Sequence, residues 1–229
     1  EMAGRIPLLV GGTMLYFRAL ERGLAELPPA DPAVRARLTA ELAERGSEAL
    51  HARLTRLDPV AAERIHPRDP QRIRRALEVC EIAGRSLTEL HALSRNESLP
   101  FRMVKLIVAP ADRQVLHARI EQRFRAMVGQ GFIAEVERLR ARGDLDLDKP
   151  SMRAVGYRQV WRYLDGGLDH AGMIEKGIAA TRQLAKRQLT WLRAESAANW
   201  LDGTDHRLLD RAIARLRESG FLLNTLERV

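Results

Sequence analysis

The chain has 229 residues, of which 45% are hydrophobic and 30% charged; these proportions are typical of a folded globular protein and exclude a disordered one. Lys and Arg total 38 against 30 Asp and Glu, a net charge of +8, which favours nucleic acid, an anionic membrane or an acidic ligand as partner, although a merely basic surface explains it equally well. The single cysteine, Cys80, excludes a disulfide framework and a multi-cysteine zinc site, and favours a cytoplasmic setting. No apolar run approaches the ~18 residues of a membrane span, so we expect no membrane partner.

The predicted elements give an α/β protein that is predominantly helical. A short apolar run at residues 6–10 is the first predicted strand, and residues 103–109 and 199–201 are the others. Between the first two strands the pattern is helical, with Asp58-Pro59 and Asp69-Pro70 as helix starts, Gly84 as a helix end, and Ser86 with Glu89 as a capping box. Further helices are predicted at 111–130, 132–142, 157–164, 170–193 and 206–219.

This order predicts three segments. Residues 1–27 form part of a core, 28–101 a helical insertion, and 102–229 the remainder of the core with the C-terminal helices.

The turn Gly11-Gly12-Thr13 follows the first predicted strand. Glycines at the carboxyl end of a strand allow the backbone to approach a ligand, but a simple tight turn into a helix explains them as well. The turn lacks the third glycine of G-x-G-x-x-G, and no G-x-x-x-x-G-K-[ST] motif occurs in the chain.

Three clusters of arginine are candidates for binding phosphate. The first turns of the helix after Asp69 carry Gln71, Arg72, Arg74 and Arg75; because a helix dipole disfavours cations at its N-terminus, RNA is a good explanation, with a solvated arginine face as the alternative. Arg119 and Arg123 lie four residues apart and so on one helix face, where they suit a diphosphate or, alternatively, ion pairs with Glu121 or Glu135. In the helix at 170–193, nearly all charged residues after Glu175 are positive, which favours a surface that binds the phosphate backbone of a nucleic acid.

The segment SMRAVGYRQVW, at residues 151–161, places Gly156 between Arg153 and Arg158, with Tyr157 and Trp161 nearby. Aromatic rings among guanidinium groups fit single-stranded nucleic acid. Trp161 also falls on a good helix core face, and we assign it to the core. The six histidines show no metal-ligand spacing.

Taken in order, GRIPLLVGGTMLYFRAL, IHPRDPQRIRRALEV, SMRAVGYRQVWRYL and ATRQLAKRQLTWLR resemble bacterial tRNA dimethylallyltransferases over nearly the whole chain. The resemblance implies a partial P-loop NTPase-like core with a helical insertion that grips the tRNA anticodon stem-loop. It implies transfer of a dimethylallyl group from dimethylallyl diphosphate to N6 of the adenosine 3′ to the anticodon, assisted by Mg²⁺. The adenosine is then expected to be flipped into a channel, and the enzyme to be a cytoplasmic monomer.

The resemblance also implies roles for individual residues. Arg123, with Arg119, would bind the diphosphate and stabilise its developing charge, and Thr13 would lie beside the flipped adenosine as a catalytic and tRNA-binding residue. The other implied tRNA-binding residues are Arg35, Gln71, Arg72, Ile73, Arg74, Arg75, Arg153, Ala154, Val155, Gly156, Tyr157, Arg158, Lys186, Arg187, Gln188, Leu189, Thr190, Trp191, Leu192 and Arg193.

The sequence departs from this family in two motifs. It contains neither the phosphate-binding G-x-x-x-x-G-K-[ST] loop nor the Asp-Ser pair whose aspartate serves as general base, and we expect the Mg²⁺ ligands in that same missing N-terminal part. We therefore expect an incomplete diphosphate pocket and no prenyl transfer by residues 1–229 alone. The alternatives are a non-catalytic RNA-binding module and, less favoured by the motifs, a nucleotide kinase-like enzyme with the same core.

Overall fold

The computed structural model describes residues 7–93 and 102–220 of the chain. The described residues form two compact units. One comprises the segment up to Met14 together with the chain from Arg102 onward, and the other comprises residues from Leu15 to Phe101. In chain order the elements are α1 (Met14–Arg22), α2 (Pro32–Leu57), α3 (Pro59–Arg64), α4 (Pro70–Ala83), α5 (Leu87–Leu93), β1 (Leu106–Ala109), α6 (Arg113–Gly129), α7 (Phe132–Ala141), α8 (Tyr157–Leu164), α9 (His170–Arg193), β2 (Asn199–Asp202) and α10 (Leu208–Glu218).

The helical unit is built from α2 to α5, whose ends are set by local capping. Asp58 and Asp69 cap α3 and α4, each followed by proline, and Gly84 ends α4 in the left-handed conformation with φ of 63°. Ser86 and Glu89 exchange the two hydrogen bonds of a capping box. These predicted boundaries are confirmed. The helices bury a leucine-rich core of Leu38, Leu50, Leu54, Ala62, Ile73, Ala76 and Leu77.

Asp58 also joins two of these helices. Its carboxylate accepts hydrogen bonds from the Ala61 amide within α3 and from both the amide and the hydroxyl of Thr88 in α5. Burial alone would raise the pKa of this carboxyl, but the hydrogen bonds from Ala61 and Thr88 outweigh that effect and hold the pKa below its ordinary value.

The other unit contains a parallel pair of strands and the helices that connect them. Strands β1 and β2 pair from Leu106 with Asn199 to Ala109 with Asp202, and α6 to α9 form the long crossover that a parallel pair requires. The helices enclose a core of Phe124, Phe132, Val136, Met152, Val160, Trp161, Met173 and Ile178. The prediction of a mainly helical α/β protein is confirmed, as is the assignment of Trp161 to the core.

The prediction of a strand at residues 6–10 is wrong for residues 7–10, the part that the structure describes. Residues 7–10 have no regular structure, and Leu8, Leu9 and Val10 are largely exposed; Ile6 lies outside the described residues. A strand needs a neighbour to satisfy its backbone groups, and β1 and β2 pair only with each other in the part of the chain that the structure describes.

Candidate functional site

Phe124 of α6 lies where three predicted site segments come together. A Cβ added to Gly177 of α9 would lie 2.1 Å from the Phe124 ring, and one added to Gly156 would lie 3.6 Å from it. These two glycines therefore let α9 and the turn before α8 pack against the ring with no side chain between them. Because Arg123 precedes Phe124 in the chain, this packing fixes the position of its backbone relative to α9.

The arginines of α6 differ in what they contact. Arg119 donates a hydrogen bond to the Gly203 carbonyl, just after β2, at 3.3 Å. Glu121 binds Arg125 at 3.0 Å and Arg182 of α9 at 3.1 Å. Arg123 is exposed and has no ion pair or hydrogen bond within the described residues. The alternative that Arg119 and Arg123 pair with Glu121 is therefore not what the structure shows.

Glu135 is also occupied, by the turn at Gly156. Its carboxylate accepts a hydrogen bond from the Tyr157 hydroxyl at 2.6 Å, which together with burial raises the pKa of that tyrosine. The Tyr157 ring packs edge-on against Phe132, with ring centroids 5.1 Å apart. Gly156 itself has φ of 98°, a value that strongly favours glycine. The tyrosine thus anchors the turn, and its ring already has a protein neighbour.

The turn nevertheless leaves polar groups on the surface. Arg153 is exposed and held loosely by Asp148 at 3.4 Å, and Ala154 is exposed beside it. Val155 and Arg158 are half-buried.

Helix α9 and the Gly11-Gly12-Thr13 turn lie side by side. The Gln188 amide donates a hydrogen bond to the Gly12 carbonyl at 2.8 Å, and a Cβ at position 12 would lie only 2.5 Å from the same amide nitrogen. Two motifs separated by 176 residues are thereby joined, with Thr13 exposed next to the contact. This close approach gives Gly12 a role beyond that of a simple turn.

The rest of the α9 motif lies around Gln188. Lys186, Arg187 and Arg193 are exposed and have no acidic partner within the described residues. Thr190 and Trp191 are exposed as well, whereas Leu189 and Leu192 are half-buried.

In the helical unit, two predicted RNA-binding arginines share one buried acid. Glu78 is 1% exposed and lies 3.3 Å from Arg35 and 3.4 Å from Arg75. Arg75 also donates to the Pro28 carbonyl at 3.0 Å. A buried carboxylate needs such partners, so these two arginines have a structural role whatever else they bind.

The remaining residues of this motif divide between surface and core. Gln71 and Arg72 are exposed, with Arg72 3.3 Å from its own cap Asp69, and Arg74 donates to the Thr39 hydroxyl. The pair with Asp69 offsets part of the unfavourable placement of arginine at a helix N-terminus. Ile73 is fully buried, so its side chain packs in the core and its place in the RNA-binding run stays a prediction.

The comparison with known proteins decides the family. The model of the IPP transferase family matches residues 1–195. The chain belongs to the IPP transferase family.

Solved structures agree with this assignment. A tRNA isopentenylpyrophosphate transferase from Bacillus halodurans is 32% identical, with 96% of this chain and 69% of that chain covered and a TM-score of 0.59. A tRNA isopentenylpyrophosphate transferase from Staphylococcus epidermidis is 25% identical. The match covers 95% of this chain and 71% of that chain, with a TM-score of 0.54. A eukaryotic dimethylallyltransferase acting on tRNA matches with a TM-score of 0.73 over 96% of this chain and 58% of its own, and at 23% identity supports the fold alone.

The described part of this IPP transferase contains no group of three His, Cys, Asp or Glu residues placed to hold a metal ion. The residues at hand therefore do not fit a Mg²⁺ site, and no chemical step is assigned to one. Within the same residues, no helix is both long and apolar enough to cross a membrane.

Sequence reasoning missed Glu78, Phe124 and Gly177 as residues that position the site. In the sequence, Glu78 is indistinguishable from a solvent-exposed charged residue of an arginine-rich helix. Gly177 reads as a residue that merely destabilises its helix. A glycine eight residues after the cap of a long amphipathic helix is the one available signal, since it costs about 1 kcal/mol relative to alanine and so calls for a packing reason.

Proposed function

We propose that this chain binds the anticodon stem-loop of a tRNA and serves in transfer of a dimethylallyl group from dimethylallyl diphosphate to N6 of the adenosine 3′ to the anticodon. The observation that carries the proposal is the guanidinium of Arg123, which has no protein partner among the described residues and lies on the helix that packs against the basic helix α9. Its neighbours Arg119, Arg125 and Arg182 are engaged by protein groups, so Arg123 is the arginine of this cluster that can take up a ligand.

The chemistry requires a cation next to the leaving group. The bond between the dimethylallyl carbon and the diphosphate oxygen breaks, a bond from that carbon to N6 forms, N6 releases one proton, and diphosphate leaves with added negative charge. A guanidinium can bind two phosphate oxygens at once and gains interaction energy as that charge develops. We assign this role to Arg123.

The RNA face is assigned to α9 and the Gly156 turn. Lys186 and Arg187 have no acidic partner among the described residues, and the one ion pair of Arg153 there is with the exposed Asp148, which phosphate can replace. The hydrogen bond from Gln188 to Gly12, the residue before Thr13, supports the proposal that Thr13 lies next to the target adenosine. Arg35 and the Gln71–Arg75 run remain proposed contacts of the helical unit.

The diphosphate role is tested by titrating dimethylallyl diphosphate into the chain and measuring heat. Arg123→Ala removes a charge-assisted hydrogen-bond donor worth about 1.5–3 kcal/mol, so we expect affinity to fall by about 10- to 100-fold. Arg138→Ala is the matched control, because Arg138 is an exposed arginine on α7 of the same unit. Equal affinity of Arg123→Ala and the unaltered chain would refute the assignment.

The RNA role is tested with a fluorescently labelled anticodon stem-loop. Arg153→Ala and Arg187→Ala should each weaken binding and reduce the salt dependence by about one phosphate contact. Unchanged binding by the double variant would count against this face. Transfer of labelled dimethylallyl by residues 1–229 is expected to be absent, since the sequence has no G-x-x-x-x-G-K-[ST] motif. Turnover would contradict that expectation, whereas binding without turnover agrees with it.

A further inference from the structure

An open cavity of about 360 Å³ lies at the carboxyl ends of the two parallel strands. Its walls include Ala109 and Asp202, the last residues of β1 and β2, together with the first turn of α6 and the last turns of α9. Ligands of α/β proteins bind outside the carboxyl ends of parallel strands, and the volume is within the usual range for a small-molecule site.

One side of the cavity is apolar and includes an accessible aromatic ring. Trp200 lines the cavity and is 46% exposed, although it belongs to a strand. Leu116, Leu189 and Pro110 line it as well. A partly exposed tryptophan beside aliphatic side chains is a surface on which a flat ring can stack.

The polar groups of the cavity carry both signs of charge. Arg193 has no partner in the described part of the chain, and Arg113 lies 3.3 Å from a ring nitrogen of His117 without an acidic partner among the same residues. Asp202 uses its Oδ1 to accept from Ala111 and Thr204, while Oδ2 has no hydrogen bond within the described residues. Two arginines favour a phosphate, but the free carboxylate oxygen disfavours a ligand that is only phosphate and favours one that also carries hydroxyl or amine donors.

The cavity continues the basic face of α9. Lys186 and Arg193 are seven residues apart and therefore project from nearly the same side of the helix, about 10 Å apart along its axis. Leu189 lies between them and lines the cavity. A strand of RNA that follows Lys186 along this side would reach the cavity at Arg193.

We propose that this cavity takes one unpaired nucleotide of the bound RNA. Its base stacks on Trp200, its phosphate binds Arg113 and Arg193, and a ribose hydroxyl or base amine donates to Asp202. A nucleotide combines a flat ring, hydrogen-bond donors and a phosphate, the three groups that these walls can bind. The inference rests on the proposed RNA-binding function and adds Arg113 and Trp200 to its contacts.

The test is binding of the labelled anticodon stem-loop to Trp200→Leu, Trp200→Phe and Arg113→Ala variants of the chain. Loss of base stacking should weaken binding about 5- to 100-fold in Trp200→Leu, whereas Trp200→Phe keeps a flat ring and should retain most of the affinity. Arg113→Ala should weaken binding and lower the salt dependence by about one phosphate, with Arg138→Ala as the control of equal charge. A folded Trp200→Leu variant that binds like the unaltered chain would overturn the proposal.

Tryptophan fluorescence supplies an independent readout. The stem-loop should quench emission in the unaltered chain, and the quenching should fall in Trp200→Phe at saturating RNA. The same titration with adenosine monophosphate separates a free nucleotide from a nucleotide of RNA. Quenching by the mononucleotide alone, with stem-loop binding insensitive to Arg113→Ala and Trp200→Leu, would refute the RNA site. Failure of the unaltered chain to bind the stem-loop would refute both the proposed function and this inference, whereas normal binding with insensitive variants would refute the inference alone.

Discussion

Substituting Gly177 by alanine is expected to separate the two helices that carry the proposed diphosphate and RNA contacts. The new Cβ would lie 2.1–2.6 Å from three atoms of the Phe124 ring, far inside van der Waals contact. Phe124 is 3% exposed and also lies against the Gly156 turn, so the ring cannot rotate away. Helices α6 and α9 must therefore move apart.

The size of the effect is the difference between two opposing contributions. Overpacking a well-filled core costs about 1–3 kcal/mol, and the absence of room around Phe124 places this site near the upper value. Alanine is better than glycine in a helix by about 1 kcal/mol. The net expectation is a loss of about 2 kcal/mol in the free energy of unfolding, or a fall of about 1 M in the urea midpoint.

Urea unfolding followed by tryptophan fluorescence measures this loss. All three tryptophans, Trp161, Trp191 and Trp200, belong to the unit that contains Gly177, so the signal reports that unit. Gly129→Ala in α6 is the matched control, because its Cβ would meet nothing within 4 Å and only the helix preference remains. A Gly177→Ala variant as stable as the unaltered chain would show that the interhelical contact is not tight and refute the reasoning.

Two further predictions concern the helical unit. Asp58→Ala removes the hydrogen bonds that join α3 to Thr88 and should cost about 2 kcal/mol at neutral pH. Because the folded pKa of Asp58 lies below its ordinary value of 3.8, its contribution is present above that pH and is lost as the pH falls through the folded pKa. Urea titrations from pH 7 to pH 3 should show the two proteins converging at the acid end, and a constant difference would contradict this. Glu78→Gln leaves Arg35 and Arg75 without their carboxylate. Since these side chains are 47% and 36% exposed, water compensates in part and we expect a loss of about 1–2 kcal/mol by circular dichroism; an unchanged melting curve would show that the pairs contribute nothing.

Features that depend on neighbouring residues could be predicted from the sequence. The caps at Asp58 and Asp69 and the capping box at Ser86 follow from side chains that bind amides two or three residues away. The predicted bounds of α8 and α9 also match the observed ones, and α9 begins directly after its cap Asp169.

Features that depend on distant residues could not be predicted. The apolar run after Ile6 has strand composition, but a strand forms only where a partner offers its edge. The arginines show the same limit, since nothing near Arg35 in the chain indicates that Glu78, 43 residues away, will bind it. Arg123 and Arg182 are similar in sequence context, and only the structure shows that Glu121 forms an ion pair with Arg182 and not with Arg123.

The connection from Gln188 to Gly12 bears on the order in which the protein folds. The hydrogen bond closes 176 residues of chain, and the whole helical unit lies within that span. The helical unit is continuous in the chain, so its contacts can form soon after its residues leave the ribosome. The other unit is formed by two segments, one before and one after the helical unit in the chain. The segment before it cannot make its contacts until the segment after it has been synthesised. We expect the Gly11-Gly12-Thr13 turn, which is synthesised before the helical unit, to reach its native contacts after that unit has folded.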